Sequence, residues 1–152
     1  MNVMTRPEVP DFAALIGKDR VHGSLYTDAD IFRMELERIW FRTWVYVGHE
    51  SEVPEPFDFV TKSIGPQPII MTRGADGQVN LLQNRCPHRG NEVCTEPKGN
   101  ARKFTCPFHN WTFANDGRLE ATAFADGYKG QDMSALSLGK VTRVASYRGF
   151  VF

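Results

Sequence analysis

Cysteine and histidine are scarce here: 152 residues carry three of the first and four of the second. So few thiols cannot build the disulfide framework of a small secreted domain, and Cys94 finds no fourth cysteine to pair with. Long hydrophobic runs are missing too. Nothing approaches the roughly eighteen apolar residues of a membrane span, and the opening MNVMTRPEVP has no hydrophobic signal core. A cytoplasmic chain with no membrane partner is expected. Nor is there an excess of either charge, since 18 basic residues face 18 acidic ones, which removes the electrostatic case for nucleic acid. Internal repeats and low-complexity segments are absent as well. The length suffices to bury one core.

The few sulfurs and imidazoles that are present are concentrated. Cys86-Pro87-His88 is followed, after seventeen intervening residues, by Cys106-Pro107-Phe108-His109. Each short loop offers one thiolate and one imidazole, which together make the ligand set of a Rieske [2Fe-2S] cluster. The histidines matter through charge. Two ferric ions and two sulfides sum to +2, so two thiolates leave the oxidised centre neutral, whereas four would leave it at −2. An electron then enters against less repulsion, and such centres span about −150 to +300 mV, against about −400 mV for plant-type ferredoxins. Each imidazole also keeps one ring nitrogen free of metal for a hydrogen bond beyond the cluster. Two Cys and two His also satisfy tetrahedral zinc, but zinc modules usually place paired cysteines before paired histidines, and here each loop is mixed. Metal analysis separates the two. Cys94 reads as a packed or partly exposed thiol. His22 and His49 read as structural or surface histidines, because neither lies in a paired histidine motif with an acid nearby.

Around these loops the pattern predicts a mainly β fold. Residues 1–25 read as irregular, broken by Pro7, Pro10 and Gly17, with a turn or two of helix between Asp11 and Ile16. Thr27-Asp28-Ala29-Asp30 resembles a capping box, and Phe32, Leu36, Ile39 and Trp40 follow at helical spacing, which predicts a helix from Asp28 to about Arg42. Strands are predicted at Thr43–Val47, Phe57–Ile64, Pro68–Thr72 and Val79–Gln83, with a hairpin turn at Gly74-Ala75-Asp76-Gly77. A second hairpin is predicted from Trp111–Ala114 and Arg118–Thr122 around Asn115-Asp116-Gly117, so that both ligand loops hang from antiparallel strands. Residues 125–139 read as an excursion, and Val141–Val144 and Phe150–Phe152 as closing strands.

From Tyr26 to Phe152 the chain resembles the amino-terminal part of the large (α) subunit of Rieske non-haem iron aromatic-ring-hydroxylating dioxygenases. The resemblance rests on YTDADIFRMELERIWFRTWVYVGHESEVP, NRCPHRGNEVC, FTCPFHNWTFANDGRL and SYRGFVF. It implies Rieske-type antiparallel β-sheets with a two-loop cluster-binding subdomain in residues 44–152, preceded by short N-terminal helices in residues 1–43 that pack on a catalytic domain. It also implies that Cys86 and Cys106 hold the buried iron, that His88 and His109 hold the outer one, and that Arg89, Gly90 and Trp111 flank the site. Asn110 departs from the glycine common after the second histidine, which implies a local adjustment of that turn.

In such enzymes NADH electrons pass through a reductase, sometimes through a ferredoxin, to this cluster. They continue to a mononuclear Fe(II) on two histidines and a carboxylate, in a neighbouring α subunit of what is often a trimer, with or without a β subunit. That triad is not in these residues, and the apolar strand at Phe152 reads as the edge of a fragment, expected to be inactive in hydroxylation by itself. His109 would face the electron's exit. SYRGFVF and FADGYKG resemble segments of enzymes acting on aromatic acids such as benzoate or salicylate. The alternative is a stand-alone Rieske-type ferredoxin, which has no use for the aromatic helix at 28–42. A respiratory Rieske protein would need an extra cysteine in each loop, where this chain has Asn91 and Phe108.

Overall fold

The computed structural model describes residues 9–152; Pro7 and the rest of the opening stretch lie outside them. Two units divide the chain, residues 1–44 and 45–152.

The first unit is helical. Asp11 caps α1 (Phe12–Leu15) by accepting the Ala13 and Ala14 amides, and α2 (Ser24–Thr27) follows. Asp28 starts α3 (Ala29–Glu35), its carboxylate accepting the Asp30 and Ile31 amides that no earlier carbonyl can reach. The helix then widens. Residues Leu36–Trp40 form a π-turn in which the Phe41 amide reaches back to the Leu36 carbonyl at 3.0 Å. This corrects the predicted regular helix to Arg42, and it changes which side chains are covered. A π-turn adds a residue to one turn and rotates the downstream stripe away from the upstream one. Upstream, Ile31 and Met34 are buried and Phe32 is 50% exposed; in the π-turn Leu36 is half-buried and Ile39 and Trp40 are 45–50% exposed.

The second unit carries ten short strands in three antiparallel sheets. The middle sheet orders β2 (Asp58–Ile64), β3 (Gln67–Arg73), β4 (Val79–Gln83) and β5 (Lys98–Asn100) as β4-β3-β2-β5. Its central strand β3 is covered on both faces. Ile70 packs into a core with Phe59, Leu82, Cys86, Cys106, Trp111 and Phe113, while Ile69 and Met71 join Val47, Val53, Leu81 and Val151 on the other side. The second sheet comprises β6 (Lys103–Thr105), β7 (Thr112–Ala114) and β8 (Leu119–Ala121). The third joins β1 (Gly48–His49), β9 (Ser146–Tyr147) and β10 (Phe150–Val151) as β1-β10-β9. Arg148 and Gly149 both take positive φ, 51° and 84°, so the β9–β10 hairpin closes on a two-residue type I′ turn. The predicted Gly74–Gly77 turn closes with the Gly77 amide on the Gly74 carbonyl at 3.0 Å.

Several strand expectations need correction. Thr43–Val47 is not a strand. Its partner, β10, pairs only Phe150 and Val151, so regular pairing begins at Gly48 and the Val47 amide alone reaches back to Val151. Val141–Val144 forms no strand either; Val141 donates one bond to Leu81 at 2.9 Å and Lys140 bridges Leu82, after which the chain leaves the sheet. Trp111 and Arg118 fall just outside β7 and β8. Strands β5 and β6 carry no sequence signal, because KGN and KFT lie at sheet edges with mostly exposed side chains and show no apolar alternation. The excursion holds two 3₁₀ turns, Ala125–Tyr128 and Ser134–Leu136.

Candidate metal centre

Two loops of the second unit share one backbone frame. In the first, which follows β4, the Cys86 amide donates to the Asn91 carbonyl and the Gly90 amide returns to the Cys86 carbonyl, both at 2.8 Å. In the second, between β6 and β7, the Cys106 amide donates to the Trp111 carbonyl at 2.8 Å and the Asn110 amide returns to the Cys106 carbonyl at 3.0 Å. Each loop thus bonds across the same five-residue interval. The residue four places after each cysteine is left-handed, Gly90 at φ 76° and Asn110 at φ 56°. This resolves the departure at Asn110: it stands in the glycine slot of the frame, and asparagine is among the few other residues that visit this conformation readily. Asn110→Gly is therefore expected to keep the site and to match or raise stability by up to about 1 kcal/mol, whereas Asn110→Val should lose about 1–2 kcal/mol. Urea unfolding checks both.

The shared frame is occupied asymmetrically. The histidine sits two places after the cysteine in the first loop and three places after it in the second. All four predicted donors come together as two pairs. Cys86 and Cys106, 1–2% exposed, lie in one core, near enough for one thiol to act on the other. The His88 and His109 rings stand edge to face with centroids 4.7 Å apart, both half-buried. Among the described residues, no three His, Cys, Asp or Glu side chains gather around a single point.

The electrostatics suit a cation. Burial pushes the Cys86 thiol up, with the His88 and Arg89 amides pulling the other way and Cys106 adding to the rise. A thiol so placed holds its proton until a metal takes the proton's place. Partial burial holds the His109 imidazole below its usual value, helped by His88 and Arg89, and a neutral imidazole is the form that ligates. His88 Nδ1 is buried with no hydrogen-bond partner. Such an orphan costs about 1–3 kcal/mol unless something binds it, and a metal would. The donor set therefore fits a two-iron, two-sulfide group, with Cys86 and Cys106 on one iron and His88 and His109 on the other.

Flanking residues brace the loops. Trp111, 2% exposed, stacks face to face on His88 at 4.8 Å and 9°. Arg89 lies over the Phe108 ring at 5.6 Å, joining one loop to the other. A residue missed by sequence reasoning closes the first loop. Asn84 is 2% exposed; its Oδ1 accepts the Val93 and Cys94 amides at 3.0 and 2.9 Å, and its Nδ2 donates to the Cys94 carbonyl at 2.6 Å. The available signal was an asparagine directly after the predicted strand Val79–Gln83, since this residue type pins loop backbone. His22 and His49 stay outside the site, each hydrogen-bonding at 2.8 Å to the serine two places on, Ser24 and Ser51. Cys94 lines a separate shallow cleft with Thr61, Lys62 and Ser63, its thiol 3.7 Å from the Glu96 carbonyl.

Known proteins share sequence and fold with this chain. The chain is 42% identical over 130 residues to the alpha subunit of an N,N-dimethyl phenylurea N-demethylase from Sphingobium sp. (strain YBL2), covering 84% of this chain and 28% of that one. It is 43% identical over 143 residues to the large subunit of anthranilate 1,2-dioxygenase from Acinetobacter baylyi, covering 93% and 30%. The crystal structure of naphthalene 1,2-dioxygenase from Rhodococcus sp. bound to indole superposes with a TM-score of 0.81 at 32% identity, over 92% of this chain and 32% of that one. The chain spans about 30% of the length of the curated relatives it matches. Residues 43–141 match the family model described as the Rieske [2Fe-2S] domain, and the chain belongs to that family.

Proposed function

We propose that this chain is the electron-transfer part of a Rieske oxygenase large subunit. One observation carries the reading: a common backbone frame repeated in two loops sets a buried sulfur pair beside a facing imidazole pair, with His88 Nδ1 left unsatisfied. With the cluster bound, the site takes up and releases one electron at a time. Cys86 and Cys106 hold it on the core side, and the His88 and Arg89 amides lean toward the Cys86 sulfur. His88 and His109 hold it on the outer side, and His109 serves as the electron's exit, a role supported by its partial exposure next to the exposed Phe108. Arg89, Gly90 and Trp111 brace the loops.

Beyond the cluster the reading follows the relatives. An NADH-dependent reductase, with or without a ferredoxin, supplies the electrons. A mononuclear Fe(II) outside these residues receives them, in a neighbouring α subunit of a trimer, with or without a β subunit, and the assembly works in the cytoplasm. Residues 1–43 pack on the rest of such a subunit, a role supported by the exposed Phe32, Ile39 and Trp40 and by an open groove of about 960 Å³ lined by Phe12, Val21, Leu25, Ile31, Phe32 and Ile39. The substrate is an aromatic compound, with aromatic acids favoured by the likeness to the anthranilate enzyme. The 152 residues by themselves do not hydroxylate it.

The test is elemental and spectroscopic. The purified protein should be brown, with iron and acid-labile sulfide each near two per chain and a reduced-state EPR signal of the mixed-ligand type. Stoichiometric zinc without sulfide would overturn the reading. No disulfide joins the loops, and beyond the His88 and Arg89 amides on Cys86 the loops set aromatic rings, Phe108 and Trp111, against the histidines. The potential should fall in the lower half of the range of about −150 to +300 mV. Protein-film voltammetry giving a value near the upper limit would contradict this.

A further inference from the structure

His88, like His109, is a donor that the chain does not orient by hydrogen bonding among the described residues. Among the described residues neither of its ring nitrogens takes part in a hydrogen bond, so aromatic contacts alone set the plane of its ring and hence the direction of Nδ1. Trp111 is the main one, parallel to the imidazole within 9°. A parallel stack fixes an imidazole only if the larger ring is itself held. Trp111 in turn meets Tyr128 edge to face at 5.7 Å and 87°. That is the T-shaped geometry in which the positive edge of one ring meets the negative face of the other, worth about 0.5–1.5 kcal/mol beyond area burial.

Tyr128 comes from none of the strands that carry the loops. It ends the 3₁₀ turn Ala125–Tyr128 in the excursion that the sequence left without a role, and with Met133 and Leu136 it packs against the core holding Cys86, Cys106 and Trp111. Leu138, 2% exposed, ties the end of the same segment down through its amide to the Gly117 carbonyl at 2.9 Å. The hydroxyl of Tyr128 makes no hydrogen bond among the described residues, so the ring is the working part.

We infer that Tyr128 is a positioning residue for His88, acting through Trp111, and that residues 125–138 serve as a buttress delivering it. The inference rests on the proposal that His88 ligates iron. It is a relay of packing: Tyr128 limits the tilt of the Trp111 indole, the indole limits rotation of the imidazole, and the imidazole holds Nδ1 where the metal needs it.

The experiment compares cluster-loaded wild type with Tyr128→Phe, Tyr128→Leu and Tyr128→Ala. Iron and sulfide content come first, then the g-values of the reduced-state EPR signal, then the rate of cluster loss to a chelator. Tyr128→Phe keeps the ring and should match wild type in all three. Tyr128→Leu and Tyr128→Ala should load iron and sulfide, yet show shifted or broadened g-values and lose the cluster about tenfold faster, in keeping with the effect of removing support behind a metal ligand. Tyr128→Leu keeps most of the bulk, so it carries the test if Tyr128→Ala folds poorly. Leu and Ala variants with wild-type spectra and loss rates would overturn the inference, and so would a Phe variant as impaired as they are. Wild type without iron and sulfide would overturn the parent reading as well, and is told apart from failure of the relay by the first measurement.

Discussion

His88→Ala and Cys106→Ser should each purify with little or no brown colour, iron and sulfide falling from about two per chain toward none, while Cys94→Ser keeps both. The two kinds of residue differ in surroundings more than in chemistry. Cys86 and Cys106 are near neighbours within one core, each carried by a loop whose cysteine amide and carbonyl are tied to the loop's far end. Removing one sulfur leaves an iron with a single protein thiolate. Removing His88 also removes Trp111's stacking partner and opens the site at a place where a half-buried ring stood. Cys94 is buried too, at 8% exposure, but its sulfur sees the Glu96 carbonyl and a cleft lined by Thr61, Lys62 and Ser63. Burial pushes its thiol up, as it does that of Cys86, so acidity does not separate ligand from bystander; the second sulfur beside Cys86 does. Iron and sulfide analysis of the three variants checks this directly. Loss of the cluster in Cys94→Ser, or its full retention in Cys106→Ser, would overturn the assignment of donors.

How far the site could be read in advance follows from the range of the interactions. The four donors were legible because ligand chemistry is carried by residue type and short spacing, and the core strands because Val, Ile, Thr and aromatic residues are concentrated in short runs between Pro and Gly. Val79–Gln83 was placed to the residue. What was not legible depended on partners far along the chain. Strand β5 exists because Asp58, Phe59 and Val60 of β2 offer it an edge, and nothing in Lys98-Gly99-Asn100 announces that. The π-turn at Leu36–Trp40 left the helical periodicity intact while rotating its face. Asn110 departs from the glycine common in similar proteins, yet beside Gly90 in the same frame it occupies the same left-handed position.

Asn84→Ala should be among the most costly single changes near the site, lowering unfolding free energy by roughly 2–5 kcal/mol and reducing cluster retention with it. The asparagine makes three hydrogen bonds in a place that admits almost no water. Truncation strands the Val93 and Cys94 amides and the Cys94 carbonyl, and each stranded buried group costs about 1–3 kcal/mol, less whatever a water entering the gap recovers. Val93 and Cys94 belong to the core that includes both loop cysteines, so the damage does not stay local: the first loop leaves β4 through Asn84 and returns to it through these two residues. Asn84→Asp separates the contributions. A carboxylate can still accept both amides, but it has no proton to give the Cys94 carbonyl and sets an oxygen against an oxygen at the 2.6 Å contact. It should therefore lose less than Asn84→Ala if the two accepted amides dominate, and more if the donated bond and the buried charge dominate. Two acceptances against one donation favour the first order. Urea unfolding of cluster-loaded protein, read alongside the rate of iron loss to a chelator, measures both effects. An Asn84→Ala variant within about 0.5 kcal/mol of wild type, the range of an ordinary surface substitution, would show that the first loop is held by its own frame and not by this clasp.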